Sequence, residues 1–367
     1  MNNKVLVWDS SIYDMLNGGR FGGIAVQLHL WMKEFHKNGW DVHALSTVKN
    51  IIDVNGFFFH KVHHIKKIDL FFNWIEVYRI IRKVHPDIIL IRGAQRVCYP
   101  LSIIGKKCGA KVILFGASDI NFVPGKANVG NTLNTKLYEL AVHNTFDYIV
   151  TQNRLQSQSL DKYFNKGSLI IPNIWSDNIS KANKQEKKYD VVWVSNFRRL
   201  KRAEWILYAA EQLPQYRFAI IGGPNDAAYY DEISEAASKL NNVDFLGSKS
   251  LDESSQVIAC SRILACTSEY EGFPNTFLQA WAVGIPVIST VDPNNIILEH
   301  TMGCIINNEE DLIKKILLLL HDPSLYSTLV SNIEEYFASA HSATAAYKKL
   351  MDYIRQVSEN EKDIMFD

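Results

Sequence analysis

Residues 263–288 read ILACTSEYEGFPNTFLQAWAVGIPVI. Apolar runs of strand length lie at residues 263–266 and 287–289, on either side of a polar turn and a helical stretch. Pro274 suits the first turn of that helix, because a residue there needs no hydrogen bond from its backbone nitrogen. The segment therefore predicts a strand, a turn and a helix that lead into a second strand, which is one unit of a parallel α/β sheet.

The same alternation extends outward in both directions along the chain. Apolar runs that predict buried strands occur at residues 5–8, 41–45, 87–91, 111–115, 148–150, 190–194, 218–221 and 243–246. Helical patterns separate them, for example at 24–35, 203–213 and 227–240. Repeated strand-helix alternation predicts parallel sheets with helices on both faces, and ligands at the carboxyl ends of the strands.

The length and one polar segment predict two domains. A chain of 367 residues exceeds what one hydrophobic core commonly serves. Residues 175–188 contain almost no apolar side chains and are predicted to be a linker. We therefore expect an N-terminal domain at 1–174 and a C-terminal domain at 189–341. Residues 342–367 are predicted to form a helix that crosses back to brace the first domain.

The composition excludes several classes of protein. The formal net charge is zero, so no overall basic field attracts nucleic acid. The N-terminus is too short and polar for a secretory signal, and no apolar run approaches the length of a membrane span. Five scattered cysteines show no metal or redox spacing and indicate free, buried thiols in a reducing compartment. We expect a cytoplasmic protein, with peripheral attachment at the inner membrane surface left open.

The turn after residue 266 has the features of a phosphate site. Gly272 permits close approach of backbone, and the helix that follows offers free N–H groups and a positive dipole end. Glu271 supplies a carboxylate. Gln279 lies eight residues later, about two helical turns along, and is expected to face the same side.

This segment resembles the signature of glycosyltransferase family 4, the retaining enzymes of the GT-B fold, in which two Rossmann-like domains face each other across a cleft. The signature is a Glu, seven residues and a second Glu, written around Glu-Gly-Phe-Pro-Asn, and Glu271 to Asn275 match that core. The resemblance implies that Glu271 contacts the donor sugar and that Gln279 takes the position that binds the ribose hydroxyls. The implied donor-binding residues are Gly272, Phe273, Pro274, Asn275, Gln279, Gly247 and Arg199.

A basic loop follows the first predicted strand of the second domain. Members of the family place an Arg and a Lys in this loop to neutralise the leaving diphosphate. Lys201 matches the Lys, whereas Asn196 occupies the usual Arg position, so Arg198 or Arg199 would substitute. The implied catalytic residues are Lys201, Arg198 and Glu271. The alternative is a solvated basic loop before a helix.

On the acceptor side the resemblance is weaker. Gly22 and Gly23 resemble the family's glycine-rich loop, although glycines there also fit a tight turn. Ser118 and Asp119 lie where many members carry a His before an Asp. Phe245 to Gly247 resemble the loop that packs on the nucleotide base.

No metal site and no cofactor are expected. No Asp-x-Asp occurs in the sequence. His63 and His64, which follow His60, are neighbours that would point to opposite faces of a strand, so they cannot readily share an ion.

One segment offers a second kind of contact. Residues 66–83 are cationic and aromatic, and Phe71, Phe72 and Trp74 could dock on anionic lipid. The alternative is a packed surface helix with a solvated basic face.

The resemblance implies a retaining glycosyltransferase that moves a sugar from a nucleotide-sugar donor to a glycan or lipid-linked glycan in surface polysaccharide synthesis. Two alternatives stay open. One is a nucleotide-sugar epimerase of the same fold, and the other is a non-catalytic nucleotide-sugar-binding subunit.

Overall fold

The computed structural model describes residues 3–8, 11–16, 22–46, 56–63, 69–127, 129–176, 186–271 and 273–366, without the side chains of 69–73 and 358–366. The chain divides into two compact units. Unit 1 comprises Met1–Ile174 and Ala343–Asp367, and unit 2 comprises Trp175–Ser342.

Unit 1 is built on a parallel sheet. In the described residues it has seven strands in the order β3-β2-β1-β4-β5-β6-β7. The strands are β1 Lys4–Trp8, β2 Asp41–Ser46, β3 Phe58–Lys61, β4 Ile88–Arg92, β5 Lys111–Phe115, β6 Tyr148–Thr151 and β7 Leu169–Ile170. The helices are α1 Ile12–Leu16, α2 Gly23–Lys37, α3 Asp69–Val84, α4 Cys98–Lys107, α5 Thr132–Asn144 and α6 Arg154–Phe164, with a 3-10 turn at Asp119–Phe122.

Unit 2 repeats this plan. Its described residues form a six-stranded parallel sheet in the order β10-β9-β8-β11-β12-β13. The strands are β8 Tyr189–Val194, β9 Phe218–Ile221, β10 Val243–Gly247, β11 Ser261–Cys266, β12 Val287–Ser289 and β13 Gly303–Ile305. The helices are α7 Glu204–Gln212, α8 Ala227–Ser238, α9 Leu251–Ala259, α10 Asn275–Trp281, α11 Ile296–Glu299, α12 Glu309–His321 and α13 Pro323–Ala340, with 3-10 turns at Arg199–Lys201 and Pro293–Asn295.

The helices begin where polar side chains follow a strand or turn. Asn153 comes soon after β6, and its side chain accepts a hydrogen bond from the backbone of Gln156 at the start of α6. Ser250 forms a reciprocal pair with Glu253 at the start of α9. Such caps satisfy backbone donors that the first turn of a helix leaves free, and each contributes about 1 kcal/mol. These caps fix where the helices begin after the carboxyl ends of the strands.

The last helix, α14 at Ala343–Phe366, belongs to unit 1 although it follows unit 2 in the sequence. It packs on α2 and the start of β2. The Tyr347 hydroxyl accepts a hydrogen bond from Trp40 Nε1 at 2.8 Å, and its ring meets Phe35 edge-on. Lys37 Nζ donates to Thr344 Oγ1 at 2.9 Å.

The ends of the predicted linker differ from a solvated connection. Residues 177–185 lie outside the described part of the chain. Trp175 is buried in unit 2, and its N–H donates to the carbonyl of His341 at 2.9 Å. At the other end, Lys188 N–H donates to the Cys260 carbonyl at 2.7 Å. The polar composition predicted a linker at 175–188, but the buried Trp175 and backbone hydrogen bonds hold both ends on unit 2.

The predicted class, two parallel α/β sheets with helices on both faces, is confirmed. β5, β9 and β12 have the predicted bounds, and the other predicted strands differ by one or two residues. β7 and β13 were not predicted, because each is short and only partly buried, so neither leaves a distinct apolar run.

Candidate active site

The predicted catalytic side chains lie in the loops that follow β8 and β11, the two central strands of the unit 2 sheet. β8 and β11 are adjacent, and Trp193 pairs with Ala265 near their carboxyl ends. The chain leaves β8 toward β9 and β10 on one side, and it leaves β11 toward β12 and β13 on the other. This is the point where the strand order reverses, and open α/β sheets bind ligands in the crevice outside the carboxyl ends of such strands.

Lys201 and Glu271 meet at this point, seventy residues apart in the sequence. Lys201 Nζ forms a hydrogen-bonded ion pair with Glu271 Oε1. Ser268 Oγ donates to the same oxygen at 3.0 Å. The two charged side chains are only 14% and 22% exposed, so water screens the pair less than a surface pair. The arrangement places a cation and a carboxylate together in a partly desolvated site.

The two loops that carry this pair are fastened to each other. Glu269 N–H donates to the Leu200 carbonyl at 2.8 Å. Thr267 Oγ1 lies 2.7 Å from the Lys201 carbonyl oxygen and 2.9 Å from that of Arg202. In return, Arg202 Nε donates to the Thr267 carbonyl at 2.7 Å. These bonds hold the backbone of both loops before any ligand binds.

Glycines close the same edge of the sheet at β9 and β10. A Cβ atom on Gly222 would lie 1.9 Å from the Ser195 carbonyl oxygen, and one on Gly223 would lie 2.5 Å from Ser248 Oγ. Gly247 has φ +64°, a left-handed conformation that favours glycine, and its carbonyl accepts from Gly222 N–H at 3.0 Å. Gly247 therefore lies at the carboxyl edge, where the resemblance requires it.

The two candidate arginines have different surroundings. Arg199 is 66% exposed and pairs with Glu232 of α8 at 2.9 Å, while its guanidinium lies over the Tyr229 ring. Arg198 is exposed and forms no ion pair within the described residues. Arg198 is thus the better candidate for the second cation. Arg199, predicted as donor-binding, pairs with an exposed carboxylate on a neighbouring helix.

Gln279 is buried, and its side chain contacts the neighbouring helix α9. It is 5% exposed, and its Nε2 lies 3.2 Å from Ser255 Oγ and 3.4 Å from Ser254 Oγ, both on α9. Its amide nitrogen is therefore directed toward a helix of unit 2, because α10 packs on α9 at that turn.

The residues between Glu271 and α10 lead into the core of unit 2. Gly272 lies outside the described residues. Pro274 is the cap residue immediately before α10 rather than its first residue, with φ −65°, and Asn275 begins the helix. The Phe273 ring packs near Trp281 and His341, with centroids 6.2 Å and 5.6 Å away. The partly buried side chain of Phe273 thus anchors the turn on the core of unit 2.

The predicted acceptor residues lie in unit 1. Gly22 caps α2 and has open space where a side chain would be, and Gly23 begins that helix. Ser118 caps the 3-10 turn that follows β5. Asp119 Oδ1 accepts hydrogen bonds from Asn153 Nδ2 at 3.0 Å and from Gln156 Nε2 at 3.1 Å. Ser118 and Asp119 follow the carboxyl end of β5, whereas Gly22 and Gly23 lie at the start of α2.

His60 and His63 have partners of their own. His60 lies 2.9 Å from His43 across two neighbouring strands, and His63 Nδ1 lies 2.9 Å from Glu76 Oε1. His64 is outside the described residues. Across the described ranges, no group of three or more His, Cys, Asp or Glu side chains is placed to hold a metal ion.

The cysteines and the basic helix show further differences from expectation. All five cysteines are free, but only Cys98 and Cys266 are buried and the other three are partly exposed. In the part of the chain that is described, no helix has the length and apolarity to cross a bilayer. The side chains of Phe71 and Phe72 lie outside the described set. Trp74 is partly buried and stacks on Trp8.

Some residues of this site were not predicted. Ser268, Thr267 and Arg202 hold the two loops, yet Ser and Thr occur in most polar turns and carry no distinctive spacing. Arg202 lies in the same basic loop, but nothing in the sequence indicates that its guanidinium lies over the Trp205 ring.

Comparisons with known proteins agree with the fold. The family model described as glycosyl transferases group 1 matches residues 176–336, in unit 2. The model described as glycosyl transferase 4-like matches residues 25–153, in unit 1. An uncharacterized glycosyltransferase of Methanocaldococcus jannaschii is 24% identical over 357 residues, which cover 93% of this chain and 95% of that protein.

Solved structures show the same fold. Sucrose-phosphate synthase from Thermosynechococcus elongatus superposes with a TM-score of 0.70 at 15% identity, covering 98% of this chain and 100% of that one. A proposed UDP-N-acetylglucosamine 2-epimerase from Listeria monocytogenes gives a TM-score of 0.66 at 14% identity, covering 98% and 97%. At these identities the likeness is one of fold, which is the GT-B fold.

Proposed function

We propose that this chain, which belongs to the GT-B glycosyltransferase superfamily, is a retaining family 4 enzyme that moves a hexose from a nucleotide sugar to a glycan or lipid-linked glycan. The observation that carries the proposal is the Lys201–Glu271 pair at the point where the strand order of unit 2 reverses. A cation held there is suited to a diphosphate, and a carboxylate beside it is suited to sugar hydroxyls.

Lys201 would stabilise the leaving diphosphate. An ammonium group has three donors, so contact with Glu271 leaves donors for phosphate oxygens. The loop bonds around Thr267 fix the Lys201 backbone in advance, and preorganised charges lower a barrier without reorganising during the reaction. Arg198, exposed on the same loop, would supply the second cation.

Glu271 would orient the donor sugar. Its Oε1 already accepts from Lys201 and Ser268, whereas Oε2 has no hydrogen-bond partner among the described residues. A free carboxylate oxygen can accept a hydrogen bond from a sugar hydroxyl. Glu271 would thus bind sugar with one oxygen while the other stays tied to the cation of the leaving group.

The proton of the acceptor hydroxyl would pass to the leaving phosphate, with the new bond formed on the same face of the sugar. This front-face route follows from the resemblance to the retaining family. Unit 1 would supply acceptor contacts near Gly22, Gly23, Ser118 and Asp119. The acceptor class fits surface polysaccharide synthesis at the cytoplasmic face of a membrane.

Acceptor-dependent release of nucleoside diphosphate tests this function. A thermal-shift screen of nucleoside diphosphates and their sugars first identifies the donor, because a ligand bound only by the native state raises Tm. We expect release of the nucleoside diphosphate to require a glycan acceptor. Conversion of the donor without any acceptor would instead favour an epimerase, because one of the solved structures with this fold is described as an epimerase. Donor binding without turnover against a broad acceptor panel would favour a non-catalytic binding subunit.

A further inference from the structure

Arg92 is a buried cation in unit 1. It is the last residue of β4, the strand beside β1 where the strand order of this sheet reverses. Arg92 is 4% exposed, and among the described residues no carboxylate lies within 4.0 Å of its guanidinium. Nη2 donates to Asn173 Oδ1, and Nε has no hydrogen-bond partner in the described structure.

Such a group is expensive to bury. Burial lowers the pKa of Arg92 to about 9, so the guanidinium still carries its charge at neutral pH. A buried charge ordinarily has a counter-ion, and a buried polar atom ordinarily has a hydrogen-bond partner. One bond to a neutral amide leaves both requirements unmet. Within the described residues, the guanidinium therefore lacks both a counter-ion and a partner for Nε.

The polar groups around Arg92 are held in place by hydrogen bonds to one another. Asn173, which follows β7, also accepts from Gln152 Nε2 at 2.9 Å, and Gln152, which follows β6, lies 3.2 Å from the Gly116 carbonyl after β5. Four strand ends thus contribute to one row of polar groups. The orientation of the guanidinium is fixed by Asn173, whose own position is fixed by Gln152.

The same row reaches a predicted acceptor residue. Gln156 Nε2 lies 3.3 Å from Gln152 Oε1 and donates to Asp119 Oδ1 at 3.1 Å. Asp119 therefore lies at one end of the row and Arg92 at the other. The row places an unpaired cation and a carboxylate along one carboxyl edge of the sheet.

We propose that Arg92 binds an oxyanion, the carboxylate or phosphate of a sugar, so that unit 1 selects an anionic glycan acceptor. That the bound anion belongs to a glycan acceptor rests on the proposed function. The oxyanion site itself is inferred from Arg92 and its neighbours alone. The planar guanidinium offers a fork of donors that matches carboxylate and phosphate geometry, which a lysine does not. Its free Nε lies within that fork.

Calorimetry on the full chain tests the site with glucuronate, glucose 6-phosphate and glucose as probes. In wild type, one or both anionic sugars should bind at least tenfold more tightly than glucose. Arg92→Met should remove that advantage, and Arg92→Lys should keep part of it. Arg355→Met is the matched control, because Arg355 is an exposed arginine of unit 1 paired with Asp352. The Arg355→Met variant should bind the anionic sugars with the same affinity as wild type.

The two probes separate the two sources of the oxyanion. If Arg92-dependent binding is seen only with glucuronate, the natural ligand carries a uronic acid. If it is seen only with glucose 6-phosphate, the natural ligand is a phosphorylated sugar. The proposal is overturned if wild type prefers neither anion to glucose, or if Arg92→Met binds the anions as wild type does. It is also overturned if a double-mutant cycle with Asp9→Asn shows strong coupling to Arg92 in unfolding free energy, because Asp9, outside the described residues, would then be its counter-ion.

The anion-binding experiment and the test of the proposed function can fail independently of each other. Arg92-dependent anion binding without any donor-dependent transfer would contradict the glycosyltransferase proposal and leave the oxyanion site standing. Transfer to acceptors with no Arg92-dependent anion binding would contradict this inference alone.

Discussion

At the scale of single residues, Gln279 is a motif position at which an amide replaces the expected carboxylate. The signature expects an acid, but this side chain is buried and directs its amide nitrogen toward Ser255 of α9. An amide keeps one carbonyl acceptor and adds a donor, so it loses charge assistance rather than all binding. The loss corresponds to about 1 kcal/mol, which is less than tenfold in donor affinity.

Gln279→Glu is therefore expected to change donor affinity by less than tenfold and to leave turnover of the same order. The Ser255 hydroxyl can donate to the new carboxylate, which compensates for the lost amide donor. Donor Kd and kcat of both proteins, measured with one acceptor, check this. A wild type that binds donor without transfer, beside a Gln279→Glu variant that transfers readily, would mean that the natural chain has lost its activity.

Motif spacing predicted some residues of the site and missed others for a physical reason. Lys201 and Glu271 were predicted because the types and positions of their neighbours are distinctive. Arg199 was placed with the donor because the sequence shows a cation but not the carboxylate that competes for it. Glu232 lies on a different helix, and the pair forms only when the chain folds. Arg92 was not singled out, since a single Arg after a strand carries no pattern.

At the scale of elements, the site depends on two loops joined by Thr267. Its hydroxyl is fully buried, approaches the carbonyls of Lys201 and Arg202, and accepts from Trp193 Nε1 at 3.0 Å. Valine has nearly the same shape but can neither donate nor accept. Thr267→Val would remove the acceptor of Trp193 Nε1 and the hydroxyl donor to the Lys201 carbonyl, whereas the Arg202 carbonyl would still accept from Trp205 N–H at 3.2 Å.

We expect Thr267→Val to lower the unfolding free energy by about 1–3 kcal/mol, the cost of buried groups left unsatisfied. Turnover should also fall, because the backbone of Lys201 is no longer anchored. Urea denaturation and kcat measure the two effects. Thr328→Val is the control: its hydroxyl makes one exposed bond to the Ser324 carbonyl of its own helix. The control should change stability by no more than about 0.5 kcal/mol. Equal effects of the two substitutions would contradict the role given to Thr267.

Elements were predictable where a buried strand leaves an unbroken apolar run. β5 and β9 are both completely or almost completely buried along their length, and their bounds were read correctly. β13 was missed because Gly303–Ile305 is short and only partly buried, so its pattern does not stand out. Its place is set by pairing with β12, a tertiary contact that no local pattern contains.

At the scale of the whole molecule, stability depends on groups far from the site. His29 of α2 is 3% exposed, and its Nδ1 has no hydrogen-bond partner in the described structure. Burial, aided by the charge of Lys33, lowers the pKa of His29 to about 3. Between pH 6.5 and 3 the unfolded chain binds a proton here that the native chain does not. Stability must therefore fall as pH falls through this window.

His29→Phe should remove this dependence. Between pH 7 and pH 5 the wild type loses about 2 kcal/mol of unfolding free energy through this one group, from an ordinary pKa of about 6.5 in the unfolded chain. Urea denaturation at both pH values should show a loss smaller by about that amount in the variant. His143→Phe, at an exposed histidine of α5, should lose as much as wild type does. An unchanged loss in His29→Phe would show that His29 is protonated in the native chain.

The central claim is that the cation at the edge of the unit 2 sheet acts on a leaving diphosphate, and acceptor-dependent turnover of Lys201→Ala tests it most directly. Lys239→Ala is the matched control, since Lys239 also pairs with a glutamate but is 70% exposed on the surface. We expect kcat to fall by about 100-fold or more in Lys201→Ala, because a preorganised charge is removed. Lys239→Ala should turn over as wild type does. Near-normal turnover in a folded Lys201→Ala variant would contradict the claim.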